Sequence, residues 1–157
     1  MKLKNFNFKI VNSTNDLAIK IIKNTNNKSG IIIAEKQKKG RGQYGRKWAS
    51  FKGNLFVSIF FPIDNINLSL RNMTKVNCLL VKKLLSEFYK GKISIKKPND
   101  LLINNKKISG ILQETLSKSG KKFIIVGIGI NLVKSPFIKN YLTTNFLDLT
   151  GAEITPF

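Results

Sequence analysis

The sequence predicts an α+β domain built on a mixed, largely antiparallel β-sheet. Three observations point there. Short apolar runs of strand length recur between turn residues. Two longer segments repeat apolar residues at helical spacing. An Asn-Asn pair joins two of the strands closely enough for a hairpin, so strands and helices do not simply alternate into a parallel sheet.

Taken in order, Phe6, Phe8 and Ile10 alternate with polar residues and read as a first strand. Ser13-Thr14-Asn15-Asp16 reads as a helix start, a capping hydroxyl with an acid three residues on. Leu17, Ala18, Ile21 and Ile22 then follow at helical spacing. Gly30 to Ala34 is a short buried strand, residues 35 to 53 form a polar, Gly-rich loop, and Leu55 to Phe61 is a strand ended by Pro62. Leu68 to Phe88 is the longest helical candidate, with Met73, Val76, Leu80, Leu84 and Phe88 on one stripe. Ile93 to Ile95, Leu101 to Ile103 and Ile108 to Leu112 read as strands, with Asn104-Asn105 as the tight turn between the last two. Phe123 to Leu132 is the final strand, interrupted by Gly127 and Gly129. No internal repeat or linker divides the 157 residues, which fit one domain.

Composition then removes much of the chemical menu. With no histidine there is no Ser-His-Asp triad, no His base and no His-ligated zinc, and the single cysteine, Cys78, allows neither an internal disulfide nor a structural metal site. No apolar run approaches the roughly 20 residues that span a bilayer, and no signal peptide is indicated, so the cytoplasm is the expected compartment. The net charge of +20 invites a nucleic-acid reading, but its lysines are scattered along the chain among many Asn and Ile. Arginine is different. Only Arg41, Arg46 and Arg71 occur, and the first two lie in one Gly-rich segment, where a planar fork can grip carboxylate or phosphate.

That segment, Gly40-Arg41-Gly42-Gln43-Tyr44-Gly45, matches G-x-G-x-x-G, a weak pattern alone. A dinucleotide site needs a helix to open at these glycines, and Lys47-Trp48-Ala49-Ser50 is too broken to start one. Asp64 falls near the spacing of a ribose-binding acid by coincidence. A Walker loop fails as well, because Arg46-Lys47-Trp48 follows Gly45. What remains is a flexible loop with two cations and an aromatic, long enough to be functional or else a solvated basic surface.

A second segment, Lys96-Lys97-Pro98-Asn99-Asp100 through Lys107-Ile108-Ser109-Gly110-Ile111-Leu112-Gln113-Glu114, decides between them. With Gln37-x-x-Gly40-Arg41-Gly42-x-x-Gly45-Arg46-x-Trp48, Ser13-Thr14-Asn15 and Gly127-Ile128-Gly129-Ile130-Asn131, it resembles the biotin protein ligases in order and spacing, from about residue 10 to 132. The resemblance implies the class II aminoacyl-tRNA synthetase-like, biotin–lipoate ligase fold. It also implies activation of biotin by ATP and Mg2+ and transfer to a lysine of a biotin carboxyl carrier protein, a subunit of acetyl-CoA carboxylase. By position, Ser13, Thr14 and Gln37 would bind the ureido end of biotin, with Asn15 also on the biotin side, and Gly40, Arg41, Gly42 and Gln43 would wrap the ligand, with Arg41 facing its carboxylate or the mixed anhydride. Lys107 would bridge the biotin carboxylate and the α-phosphate, and Gly110, Gly127 and Gly129 would let backbone approach the ligand. Arg46, Trp48, Asn99, Asp100 and Asn131 would serve ATP, with Asp100 beside the Mg2+ that ATP brings and no permanently held metal. The implied catalytic cations are Arg41, Arg46 and Lys107. For Ser13 and Thr14 helix capping is compatible with ligand contact; Trp48 could also be a core residue, and any one lysine a solvated one.

The chain departs from the family pattern at Lys97, commonly Trp, and at Gln43 and Tyr44, often Arg; weaker retention of the intermediate is expected. Residues 1–157 are read as the catalytic domain alone, minimal or truncated, with neither the DNA-binding helix-turn-helix nor the small β-barrel of larger relatives. No membrane association and no specific DNA binding are expected, and a homodimer stays open. The rivals are a lipoate ligase of the same fold and a basic nucleic-acid-binding module.

Overall fold

The computed structural model describes residues 3–64 and 66–156. Its elements are β1 (Lys4–Val11), α1 (Thr14–Asn24), β2 (Gly30–Gln37), β3 (Leu55–Pro62), α2 (Leu70–Phe88), β4 (Ile93–Lys96), β5 (Asp100–Ile103), β6 (Lys106–Lys118), β7 (Lys121–Ile130) and α3 (Phe146–Thr150). The seven strands form one sheet in the order β1-β2-β3-β7-β6-β5-β4. Only β1 and β2 run parallel, joined through α1 as a parallel pair requires; the other neighbours are antiparallel. The α+β, mostly antiparallel expectation holds.

The two long helices cover opposite faces. Along β7, Phe123 and Ile125 join Ala18, Ile22, Ile32 and Phe60 beneath α1, whereas Ile124, Val126 and Ile130 join Met73, Val81, Leu101 and Ile108 beneath α2. This is the period-two alternation of a strand buried on both sides. Gly127 and Gly129 continue the α1 face of β7, and Gly110 of β6 stands directly opposite Gly129. Where side chains would rise from the sheet, bare backbone forms a floor.

Local chemistry sets the boundaries. Ser13 Oγ accepts from Asp16 N at 3.3 Å and starts α1, as expected. Asn104 and Asn105 both adopt positive φ, 50° and 60°, as the tight hairpin turn demands. The α2 helix starts at Leu70, capped by Ser69, and its expected stripe is wrong in part. Met73 is buried, but Val76, Leu80, Leu84 and Phe88 are exposed, and Cys78, Val81 and Leu85 face the core instead. At about 100° per residue, Cys78, Val81 and Leu85 lie roughly 80–140° round the helix from Met73, whereas Val76 and Leu80 fall on its other side, away from that arc. β6 runs on to Lys118 because Leu116 alternates with exposed Thr115 and Ser117, a polar stretch that hides a strand. The short α3 was not foreseen.

Candidate active site

The Gly-rich segment is a folded strap. Trp48 N donates to Gly40 O at 2.9 Å and Gly42 N to Arg46 O at 2.7 Å, and Arg41 bridges Lys47. Arg46 N donates to Gln43 O, with Tyr44 at φ 55° and Gly45 at φ 72°, which makes the tip a type I′ turn. The expected flexible loop is therefore a two-stranded hairpin. A left-handed conformation costs a residue with a side chain roughly 1–2 kcal/mol, and Tyr44, 89% exposed, recovers little by packing. Tyr44→Asn should accordingly raise stability by about 1 kcal/mol, read as a higher Tm; a lower Tm would mean that the ring makes a contact of value.

The strap lies over the glycine floor. A Cβ on Gly129 would meet Trp48 Cε2 at 2.4 Å, and one on Gly110 would meet Trp48 Cζ3 at 2.7 Å. Beside them Gly127 sits under Asn15, where a Cβ would fall 2.2 Å from Oδ1. Asn15 is held from several directions: Ser58 Oγ donates to its Oδ1, and its Nδ2 donates to Leu112 O and to Glu114 Oε2. Trp48 Nε1 and Arg41 Nε are buried donors without a hydrogen-bond partner.

At one end of the floor stands a cation cluster. Lys107 Nζ lies 2.7 Å from Asp100 Oδ1, 5.2 Å from the Trp48 ring and 5.6 Å from the Tyr141 ring. Tyr141 donates its hydroxyl to Asp100 Oδ2 at 2.6 Å, and Lys96 lies over its ring at 4.2 Å. Burial first, then the Asp100 contact, push the Tyr141 phenol far above its ordinary range, with the Arg46 charge opposing. Tyr141 reaches this place because Lys107 N donates to Leu142 O and Thr144 N to Lys107 O. Sequence reading missed it, since it lies beyond the last motif.

At the other end, Thr14 donates from both N and Oγ1 to Gln37 Oε1, at 2.8 and 3.2 Å, and Gln37 N donates to Ser50 Oγ. Arg41, expected to face a substrate carboxylate, is occupied by the protein's own. It donates through both terminal nitrogens to Glu114, at 2.9 and 2.8 Å, and lies 2.8 Å from Asp16. The Glu114 hydrogen bonds hold its guanidinium charged, above the ordinary range, against the opposing effect of burial. Arg41 and Lys107 nonetheless share one face, flanking Gly110 of β6. Glu114 is four residues from Gly110, about 13 Å along the strand.

Other expected site residues serve the backbone. Asn131 Nδ2 donates to Thr144 O and Asn131 O accepts from Phe146 N, so it pins the segment bearing Tyr141. Asn99 Nδ2 donates to Ile111 O. Arg46 is exposed on the strap and Gln43 sits at its turn. Among the described residues no group of three His, Cys, Asp or Glu side chains could hold a metal ion. Two surface depressions of about 420 Å³ each lie elsewhere, one between the α1 end and the β6–β7 turn and one against residues 153–156. Neither gathers the groups described above; the Trp48 indole rests on the floor between them.

The model of the biotin/lipoate A/B protein ligase family matches residues 7–131, which include the floor, the strap and Lys107. The chain belongs to the biotin/lipoate A/B protein ligase family. Within it, the chain is 32% identical over 148 residues to the bifunctional ligase/repressor BirA of Escherichia coli, covering 92% of this chain and 46% of the relative. It is 32% identical to the biotin–[acetyl-CoA-carboxylase] ligase of Paracoccus denitrificans, covering 79% and 52%. The chain thus spans about half the length of the curated relatives it matches. The biotin protein ligase of Aquifex aeolicus, solved with biotin and ATP, superposes with a TM-score of 0.81 at 31% identity, covering 96% of this chain and 62% of the other. No helix among the described residues of this ligase-family chain is long and apolar enough to cross a membrane.

Proposed function

We propose that the protein joins biotin and ATP into biotinyl-5′-adenylate and passes the biotinyl group to a lysine of a biotin carboxyl carrier protein. The observation that carries this reading is the glycine floor with Lys107 at one end and Thr14 and Gln37 at the other, beneath a strap that bears Trp48. Family membership supports it, as do relatives named for biotin and a matching structure that holds biotin and ATP.

The ureido group of biotin is a polar, directional unit that needs partners when buried. The Ser13 hydroxyl can donate to its oxygen, and Thr14 Oγ1, whose proton goes to Gln37, keeps lone pairs for its N–H. The fused rings then lie on bare backbone at Gly127 and Gly129. The carboxylate ends near Lys107, an ammonium with three donors of which the Asp100 ion pair uses one. In the first step a carboxylate oxygen bonds to the α-phosphorus and the bond to the β-phosphate oxygen breaks, releasing pyrophosphate. Two anions must meet, and a fixed cation between them lowers that barrier. In the second step the carrier amine attacks the acyl carbon, loses a proton, and AMP leaves with the bonding electrons. No enzyme nucleophile is needed. The strap folded over the floor would keep water from the adenylate.

Mg2+ enters with the triphosphate as part of the substrate. Asp100 Oδ2 accepts from Tyr141, while Oδ1 is buried 2.7 Å from the Lys107 ammonium without a hydrogen bond, so this carboxylate would be the one to face that ion, and no step is routed through a resident metal. A buried free cysteine, Cys78, fits a reducing cytoplasm.

Lys36, Lys38, Lys39, Arg46 and Lys47 are all exposed on and beside the strap, a mostly basic surface. Such a field steers an acidic partner and is screened by salt. At saturating biotin and ATP, kcat/KM for an acidic carrier should fall on the order of tenfold between low salt and 0.5 M. A salt-independent value would remove steering from the account. The function itself is tested by pyrophosphate exchange with ATP and either biotin or lipoate. Biotin-dependent exchange is expected; exchange with lipoate alone, or none, overturns the reading.

A further inference from the structure

We infer that Glu114, with Asp16 as a second arm, is the latch that fixes the Gly40–Trp48 strap to the sheet and so positions the biotin-binding end of the site. Glu114 alternates with Gly110 and Leu112 along β6 and therefore stands on the floor side. Its carboxylate takes two parallel hydrogen bonds from Arg41, at 2.9 and 2.8 Å, the fork geometry in which a charge-assisted pair is strongest. The same Oε2 accepts from Asn15 Nδ2 at 2.8 Å. One carboxylate thus ties down both the strap and the first turn of α1.

The tie closes a circuit. Glu114 holds Asn15; the neighbouring Thr14 holds Gln37; Gln37 leads to Gly40; and Arg41 returns to Glu114. Asp16, one residue beyond Asn15, meets Arg41 from the other side at 2.8 Å. Each residue expected to meet the ureido group or to wrap the acid lies on this ring or beside it. Releasing Glu114 loosens the strap and the helix start together, while Lys107, Asp100 and Tyr141 at the far end of the floor keep their contacts. Arg41 is on this account a pin, and Glu114 and Asp16 are positioning residues. The substrate half of the inference rests on the ligase reading.

The experiment uses the chain's single tryptophan, which lies on the strap. Acrylamide quenching of Trp48 reports how firmly the strap sits on the floor, with no need for activity. Glu114→Gln, shown by its melting curve to be folded, should raise the quenching constant about twofold and raise KM for biotin in pyrophosphate exchange on the order of tenfold, with kcat little changed. Arg41→Gln should raise the quenching constant as well, and the double variant should show less than the sum of the two single effects, because both remove the Glu114–Arg41 contact. Asp16→Asn should move both readouts in the same direction by less, and it carries the test if Glu114→Gln fails to fold. Unchanged quenching in the folded variants overturns the latch. A fall in kcat at constant KM overturns the positioning role, as would additive effects. A wild-type chain without exchange refutes the ligase reading, and the quenching data still decide whether the latch exists.

Discussion

Lys107→Ala should reduce biotin-dependent pyrophosphate exchange by on the order of 10²–10³-fold, the usual cost of removing one preorganised charge partner. Lys107 is firmly placed. Its backbone is clamped between Leu142 and Thr144, and its ammonium is set against Asp100 with two aromatic rings beside it. The substitution leaves Asp100 with the Tyr141 hydroxyl alone, a loss of about 1–3 kcal/mol for a buried polar group. A domain of this size carries roughly 5–15 kcal/mol of stability, so the variant should stay folded. Lys107→Arg keeps the charge but replaces a compact ammonium by a broad fork, and should recover only part of the rate. Exchange at the wild-type rate in a folded Lys107→Ala protein would move the chemistry away from this cluster.

Gly129→Val should have the second largest effect. The nearest atom to an added Cβ is Trp48 Cε2 at 2.4 Å, well inside contact distance. The backbone there cannot give way, because Gly129 is laddered on one side to Phe56 and on the other to Gly110. The indole must therefore leave the floor, and the surface on which the ligand rings would rest is lost as well. Overpacking of this sort costs about 1–3 kcal/mol, which as lost affinity is on the order of 10–10²-fold in Kd for biotin. Calorimetric titration would measure it, and Trp48 emission should shift to longer wavelength. Tight biotin binding by the variant would mean that the ligand lies elsewhere.

What the sequence made legible follows from the range of the interactions. Asn104-Asn105 and Ser13 act on backbone within three residues, so turn and cap were readable directly. The glycines at 110, 127 and 129 were readable as places of close approach, although not what approaches them. Arg41 was found by its rarity but its contact with Glu114 was not, because Glu114 lies 73 residues away and only the folded sheet brings the two together. The same argument from scarcity could have found the partner. With eight acidic residues in the whole chain, Asp16, Asp100 and Glu114 were as conspicuous as the arginines. Tyr141 gave no such signal, being an aromatic in a segment without periodicity. The α2 face was misread because the helix carries apolar residues beyond one stripe, and spacing alone does not tell which arc meets the sheet.

The placement of β7 has a consequence for how the molecule opens. Paired along its length with β3 and β6 and covered above and below, it should hold its amide protons longest in deuterium, yielding them only when the whole domain unfolds. The strap rests on that strand but is fastened through side chains, so its amides should exchange by small local openings. The glycine floor would thus be cut into the most slowly breathing part of the protein, and the strap over it would belong to one of the fastest.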